Sequence, residues 1–299
     1  MRHNTGEMPG TLYIVATPIG NLEDITQRAL RVLREVEVIA CEDTRRTRVL
    51  LNHFGIKTRT ISYHEYNERE RVAGLAELLD GGKSIAIVSD AGTPLISDPG
   101  FRIVNMAIEG GITVVPIPGP TAFVAALVAS GLPSDQFFFA GFLPARANAR
   151  RAHLQDLAAI QATLVFYEAP HRIATALSDA LEVLGNRKAA VARELTKIHE
   201  EIVRGNLREL AKRFSQSPAT RGEIVLLISG AGAEQSGSGA SELASVADVS
   251  SRALIARVRQ LESEGLDSRA ALKKAARELG LKRAEAYRLI VAHKNRRSR

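Results

Sequence analysis

The chain has 299 residues, 45% of them apolar and 24% charged, with a formal net charge of +7. This is globular composition with material for a sizeable core. A single cysteine, Cys41, excludes a disulfide framework, no apolar run approaches the roughly 18 to 20 residues that cross a bilayer, and the opening MRHNTGEMPG lacks the apolar segment of a signal peptide. A soluble, cytoplasmic protein is expected. The charge is unevenly placed: residues 251–299 hold 14 Lys and Arg against 5 Asp and Glu, whereas residues 1–250 are slightly acidic. Basicity is therefore a local device of the C-terminal segment.

In chain order, TLYIVATPIG is a short β-branched run ending in Pro and Gly, which predicts a buried strand and a turn. The following DITQRALRVLREV places Ile25, Ala29, Val32, Leu33 and Val36 on one helical face, with Asp24 as the expected N-cap. Then come the strand VIACEDT, a helical RTRVLLNHF, a loop at YHEYNE, the helix ERERVAGLAELLDGG, and strands SIAIVSD and ITVVPIPG separated by a helix near RIVNMAIEGG. This alternation predicts a largely parallel sheet covered on both faces, in a first α/β domain over 1–118.

Beyond it, TAFVAALVAS reads as a helix, and QFFFAGFL, ATLVFYEA, KAAVAREL and EIVLLIS as closely spaced strands, some necessarily antiparallel, in a second α/β domain over 119–231. Residues 232–250, rich in Gly, Ser and Ala, read as a flexible linker. Residues 251–299 carry three stretches of helical spacing, a small basic helical domain whose last two helices are similar to a helix-turn-helix.

Three turns stand out: ATPIGNL at 16–22, SDAGTP at 89–94 and PIPGPTA at 116–122. Each follows an apolar strand, so all three belong at the carboxyl edge of one sheet, where α/β folds bind ligands. Small residues there let a ligand approach exposed backbone amides. No His, Cys and carboxylate spacing matches a metal site, and none is expected.

These motifs, with CEDTRRT, HFGI, VSDAGTPLISDPG, GLPSDQF, GFLPA, FYEAPHR and ARELTK, resemble the tetrapyrrole methylase superfamily, and within it the ribosomal RNA ribose methyltransferases, over nearly all of residues 11–230. ATPIG stands where the superfamily usually carries a glycine-rich GxGxG. The resemblance implies a two-domain class III methyltransferase fold with S-adenosylmethionine folded in the cleft between the domains. It implies contacts from Pro18 and Ile19, from Asp90, Gly92 and Thr93, and from Thr121 and Ala122, with Tyr167 flanking the adenine or methionine part. It also implies a homodimer, and as substrate a cytidine 2'-hydroxyl in the decoding region of 16S ribosomal RNA, probed in the small ribosomal subunit.

A sulfonium is already an activated methyl donor, so the demanding group is the acceptor hydroxyl, which needs a base or a cation that stabilises the developing alkoxide. Charged residues in loops facing the same cleft are Glu42 and Asp43, His64 and Glu65, Glu168, and Glu194 with Lys197. Asp43 and Lys197, supported by Glu194, are the expected catalytic groups. EDTR and RELTK also suit structural ion pairs. For RNA, Arg45, Arg46 and Arg48 form a basic rim, His64 lies beside it, and Lys273, Lys274, Lys282 and Arg283 present charge from the basic tail, while His171 and Arg172 suit a helix start as well as RNA. Two other readings share these residues: a methylase of the same superfamily acting on a tetrapyrrole or a protein residue, and a non-catalytic RNA-binding assembly factor with a degenerate cofactor turn.

Overall fold

The computed structural model describes residues 10–64, 66–216 and 222–232, and in the C-terminal part residues 254, 257–258, 260–262, 264 and 266–278. The chain divides into two compact units, Met1–Gly237 and Ser238–Arg299. Among the described residues, no helix is long and apolar enough to cross a membrane, and no group of three His, Cys, Asp or Glu is placed to hold a metal ion.

Five short strands, β1 (Thr11–Val15), β2 (Val38–Cys41), β3 (Arg59–Ser62), β4 (Ile85–Val88) and β5 (Thr113–Ile117), form the first sheet. All its pairings are parallel, in the order β3-β2-β4-β1-β5. Both faces are covered, which is why the central strands are apolar throughout. Alternation sends Val15, Ile39, Cys41 and Val88 toward helices α1 (Gln27–Glu35) and α2 (Thr44–His53), and Leu12, Val38, Ala40 and Ile87 toward α3 (Glu68–Asp80) and α4 (Phe101–Glu109). Because α1 and α4 lie on opposite faces, the exits of the neighbouring strands β1 and β4 diverge, and a crevice opens at their carboxyl ends.

Helix α1 buries the face expected of it, with Ile25, Ala29, Val32, Leu33 and Val36 all inside, each larger side chain contributing about 1.5–3 kcal/mol. Its cap differs from the expectation. Thr26 is the N-cap, accepting the Ala29 N–H at 3.1 Å, while Asp24 ends a 3-10 turn at Leu22–Asp24 whose own cap is Asn21. Thr26 sits three residues before Ala29, the spacing that lets a cap oxygen reach a free N–H; Asp24 is two residues too early.

The second sheet has order β6-β7-β10-β8-β9, with β6 (Phe137–Phe142), β7 (Thr163–Glu168), β8 (Lys188–Arg193), β9 (Glu201–Asn206) and β10 (Ile224–Ile228). Only β6 and β7 pair in parallel; the other neighbours are antiparallel. One face packs on α6 (Ala147–Asp156), α7 (Ile173–Leu184) and α8 (Leu207–Gln216); the other carries α5 (Ala122–Ser130). Between α6 and α7 lies a buried ion pair, Arg150 to Asp179 at 2.5 Å, with Arg151 on the second carboxylate oxygen at 2.7 Å. Arg150 also donates to the Pro144 and Ala145 carbonyls, so the buried charge is fully engaged.

Strands β3 and β9 have no counterpart in the sequence reading. Both lie at sheet edges and carry polar residues, RTIS and EIVRGN, so neither shows an apolar run. The passage between the sheets falls between Ile117 and Ala122, inside one compact unit.

The second unit has a small core of its own, in which Leu254, Val258 and Leu261 bury against Ala271, Ala275 and Ala276 of α9 (Ser268–Glu278). Arg257 ties to Glu278 at 2.6 Å, and Asp267 caps α9 through the Ala270 N–H. Lys273 and Lys274 are exposed on α9. The expected linker beyond Gly232, the last basic helix with Lys282 and Arg283, and Glu65 lie outside the described residues.

Candidate functional site

The crevice at the ends of β1 and β4 is built by the three Pro- and Gly-bearing turns. Thr17 and Gly92 form an isolated bridge, the Thr17 N–H donating to the Gly92 carbonyl at 2.8 Å and the Gly92 N–H returning at 3.0 Å. The buried Thr17 hydroxyl donates to the Ser89 carbonyl. Gly92 has φ +85°, a conformation that glycine adopts without strain, and a Cβ there would crowd Ile19 at 3.3 Å. The third turn joins through Thr93, whose hydroxyl lies 2.6 Å from that of Thr121, the N-cap position of α5. At Gly119 a Cβ would stand 2.8 Å from the Cβ of Ala16. Pro18, Ile19, Gly92, Thr93, Thr121 and Ala122 are thus brought together.

The second sheet closes the other side. Ile19 packs with Ala126, Val165 and Val225 beside α5. Tyr167 on β7 makes edge contacts with Phe139 at 5.0 Å and Phe142 at 5.4 Å. Burial pushes its hydroxyl up to about 12 despite a hydrogen bond from the Phe123 N–H, which fixes the ring beside the start of α5. Lys197 lies against the first turn, since a Cβ on Gly20 would come within 2.4 Å of its Cγ. Its ammonium donates to Glu194 at 2.9 Å and Glu223 at 3.3 Å. Burial alone would lower the Lys197 pKa, but these carboxylates outweigh it and raise it, so the group stays cationic and is no neutral base. The hydrogen bond from Lys197 holds Glu194 below the usual carboxylate range.

Asp43 has a different role from the base expected of it. It is the N-cap of α2, accepting the Arg45 N–H at 2.9 Å, and takes the Arg45 guanidinium in a two-pronged pair at 3.0 and 2.8 Å. The Arg45 hydrogen bonds bring its carboxyl down to about 2, which makes a firm helix cap and a weak proton acceptor. Asp90 accepts the Asp43 N–H at 3.1 Å and pairs with Arg46 at 3.3 Å, tying the turn after β4 to the start of α2. Both arginines are largely exposed, so their ion pairs are weak and their charges can turn toward a phosphate.

Other expected groups serve the framework. Glu168 is buried and pairs with Arg172, which also donates to the Leu143 carbonyl. His64 is held through Asn67, whose carboxamide accepts its backbone N–H at 2.9 Å and approaches its ring at 3.2 Å. Arg48 and His171 are exposed.

One residue absent from the sequence candidates belongs to this cleft. Asp98 is half-buried in the loop between β4 and α4, where burial together with the charges of Glu42 and Asp90 pushes its carboxyl up to about 6, against a hydrogen bond with Ser89. The neighbouring Ser97 hydroxyl reaches the Gly141 position of β6, within 3.6 Å of where a Cβ would stand. Leu95 and Ser97, with Glu194 and Thr196 on the opposite side, have positive φ of 52–70°, and among the described residues they are the non-glycine residues that do. Such strain concentrates at functional sites. The pattern DPG marks a turn in the sequence; the charges around Asp98 come from distant segments.

The lining fits S-adenosylmethionine. Threonine hydroxyls and turn amides suit its ribose and carboxylate, Tyr167 and Ile19 its apolar parts, and the acidic surroundings of Asp90 and Asp98 its sulfonium and ammonium. Residues 11–211 match the family model of Tetrapyrrole (Corrin/Porphyrin) Methylases. The chain is 55% identical over 218 residues to the Ribosomal RNA small subunit methyltransferase I of Mesorhizobium japonicum, covering 73% of this chain and 74% of that one. It is 54% identical over 223 residues to the protein of the same name from Pseudomonas aeruginosa, covering 74% and 79%. Among solved structures it is similar to diphthine synthase, with TM-score 0.56, 17% identity and 74% and 90% covered, and to the uroporphyrin-III-C-methyltransferase of Thermus thermophilus, with TM-score 0.53, 22% identity and 73% and 94% covered. Those two show the fold alone.

The chain belongs to the tetrapyrrole methylase family, whose methyl donor is S-adenosylmethionine. Within that family it groups with the proteins called ribosomal RNA small subunit methyltransferase I.

Proposed function

We propose that the protein transfers a methyl group from S-adenosylmethionine to 16S ribosomal RNA, at the ribose 2'-hydroxyl of a cytidine in the decoding region. The observation that carries this reading is identity above one half, over about three quarters of the chain, to relatives named for that substrate class. The cleft supports it: the three turns would seat the donor, Lys197 would stabilise negative charge developing on the acceptor oxygen, and Arg45 and Arg46 would meet phosphates. When bound, the donor supplies an activated methyl group, so these residues have mainly to orient the acceptor and exclude water.

The basic second unit, with Lys273, Lys274, Lys282 and Arg283, would add attraction to RNA. We read the protein as cytoplasmic and homodimeric. Support for a dimer is the apolar helix α5, which leaves Val124 and Val128 exposed although the helix carries no charge, with Phe137 and Phe138 exposed on edge strand β6.

The test is incubation with labelled S-adenosylmethionine and small ribosomal subunits lacking the modification, followed by mapping of the labelled nucleotide and sugar position. Label on a cytidine 2'-oxygen is expected. Label on a base would remove the ribose assignment, and no heat on titration with the donor would remove methyl transfer altogether.

A further inference from the structure

We propose that Asp98 accepts the proton of the RNA hydroxyl as it is methylated. This rests on the reading of the protein as an RNA ribose methyltransferase and names the base which that chemistry needs.

The argument is one of elimination within the cleft, followed by position. Each of the other carboxylates considered there is held by a cation: Asp43 by Arg45, Asp90 by Arg46, Glu168 by Arg172, and Glu194 and Glu223 by Lys197. A carboxylate so paired is a poor proton acceptor, because taking the proton forfeits the pair. Asp98 makes no ion pair among the described residues; the groups facing it are Glu42 at the end of β2, Asp90 at the end of β4, the Ser89 hydroxyl, and Tyr167 on β7 of the other sheet. It is therefore flanked by the donor turn on one side and the aromatic wall on the other. Two like charges and partial burial make its proton affinity higher than that of an ordinary aspartate, close to neutral pH, where a base works best.

In the step, the Asp98 carboxylate removes the hydroxyl proton while an oxygen lone pair forms the bond to the methyl carbon. The carbon–sulfur bond of the donor breaks, its electron pair remaining on sulfur, and the carboxylic acid afterwards releases its proton to water. Lys197 remains charged throughout and stabilises the oxygen without exchanging a proton.

The experiment compares the full chain with Asp98→Asn and Asp98→Glu, using unmodified small subunits. Single-turnover methylation by the native protein should fall along an acid limb near pH 6. Asp98→Asn should lower the rate by about 10²–10⁴-fold and abolish that limb, while Asp98→Glu restores part of both. Calorimetric binding of S-adenosylhomocysteine and of subunits should stay within about threefold in both variants, and carboxyl-carbon NMR of the free protein should lose one resonance titrating near pH 6 in Asp98→Asn. The proposal is overturned if Asp98→Asn methylates within tenfold of the native rate with the limb intact, or if its lost rate is matched by lost binding. A native protein that methylates no RNA sinks the parent reading as well, a result separable from the first.

Discussion

The hydroxyls of Thr93 and Thr121 lie 2.6 Å apart, and Thr93 also reaches the Pro120 carbonyl at 3.3 Å, so the turn after β4 is fastened to the start of α5. That contact joins an element of the first sheet to the helix that covers the second. Substituting Thr121→Val removes one partner and leaves the other hydroxyl half-buried and short of a bond. The expected cost is about 1 kcal/mol, and donor affinity should fall about fivefold. Urea unfolding and calorimetry with S-adenosylmethionine measure the two; unchanged affinity would remove Thr121 from the donor site.

Gly119 faces Ala16 so closely that a methyl group on it would stand 2.8 Å from the Ala16 Cβ. Neither methyl has a torsion by which to move aside, so Gly119→Ala must separate the first and third turns. Overpacking of this kind costs about 1–3 kcal/mol. Because the displaced atoms are the turns themselves, donor binding should weaken by more than tenfold. Gly111→Ala, at a turn with open space around its Cβ, is the control and should leave binding intact.

Asp98 also makes a stability prediction that is independent of catalysis. Its folded-state carboxyl is raised from 3.8 to about 6, so the native state binds a proton that the unfolded chain has already lost. The stability it contributes is complete below about pH 4 and is lost as pH rises through about 6. Asp98→Asn should therefore be more stable than the native protein at pH 7.5, by about 1 kcal/mol after allowance for solvent screening. The difference should vanish near pH 4. Urea midpoints measured across that range check both ends, and equal midpoints at pH 7.5 would contradict the assignment.

Removal of residues 238–299 deletes the second compact unit and most of the positive charge. The remaining unit should bind S-adenosylmethionine as before, while RNA affinity and its dependence on salt both decline, because fewer phosphates are neutralised. Filter binding at several salt concentrations, run beside calorimetry with the donor, separates the two effects. Equal losses of both by a folded truncation would count against an RNA role for the tail.

What could be read from the chain alone follows from where the information is stored. β1, β2, β4 and β10 announce themselves because burial on both faces demands continuous apolar residues, and the three turns because only Pro, Gly and small residues suit them. β3 and β9 are edges whose partners, not whose residues, make them strands. Thr26 and Asp24 are both good cap residues two positions apart, and local pattern does not choose between them. Among the site residues, Asp43 and Arg45 are neighbours in sequence, yet their tight pairing is a property of the α2 start. The character of Asp98 depends on Glu42, 56 positions earlier, and on Asp90, which nothing in a linear motif records.

The reciprocal hydrogen bonds between Thr17 and Gly92 make the first two turns one stiff piece of backbone. A small molecule that docks there meets a surface already in its final shape, so little chain ordering opposes binding and most of the contact free energy is retained as affinity. Selectivity between the methylated and unmethylated forms of the cofactor must then come from charge at the sulfur, not from a loop that folds around one of them.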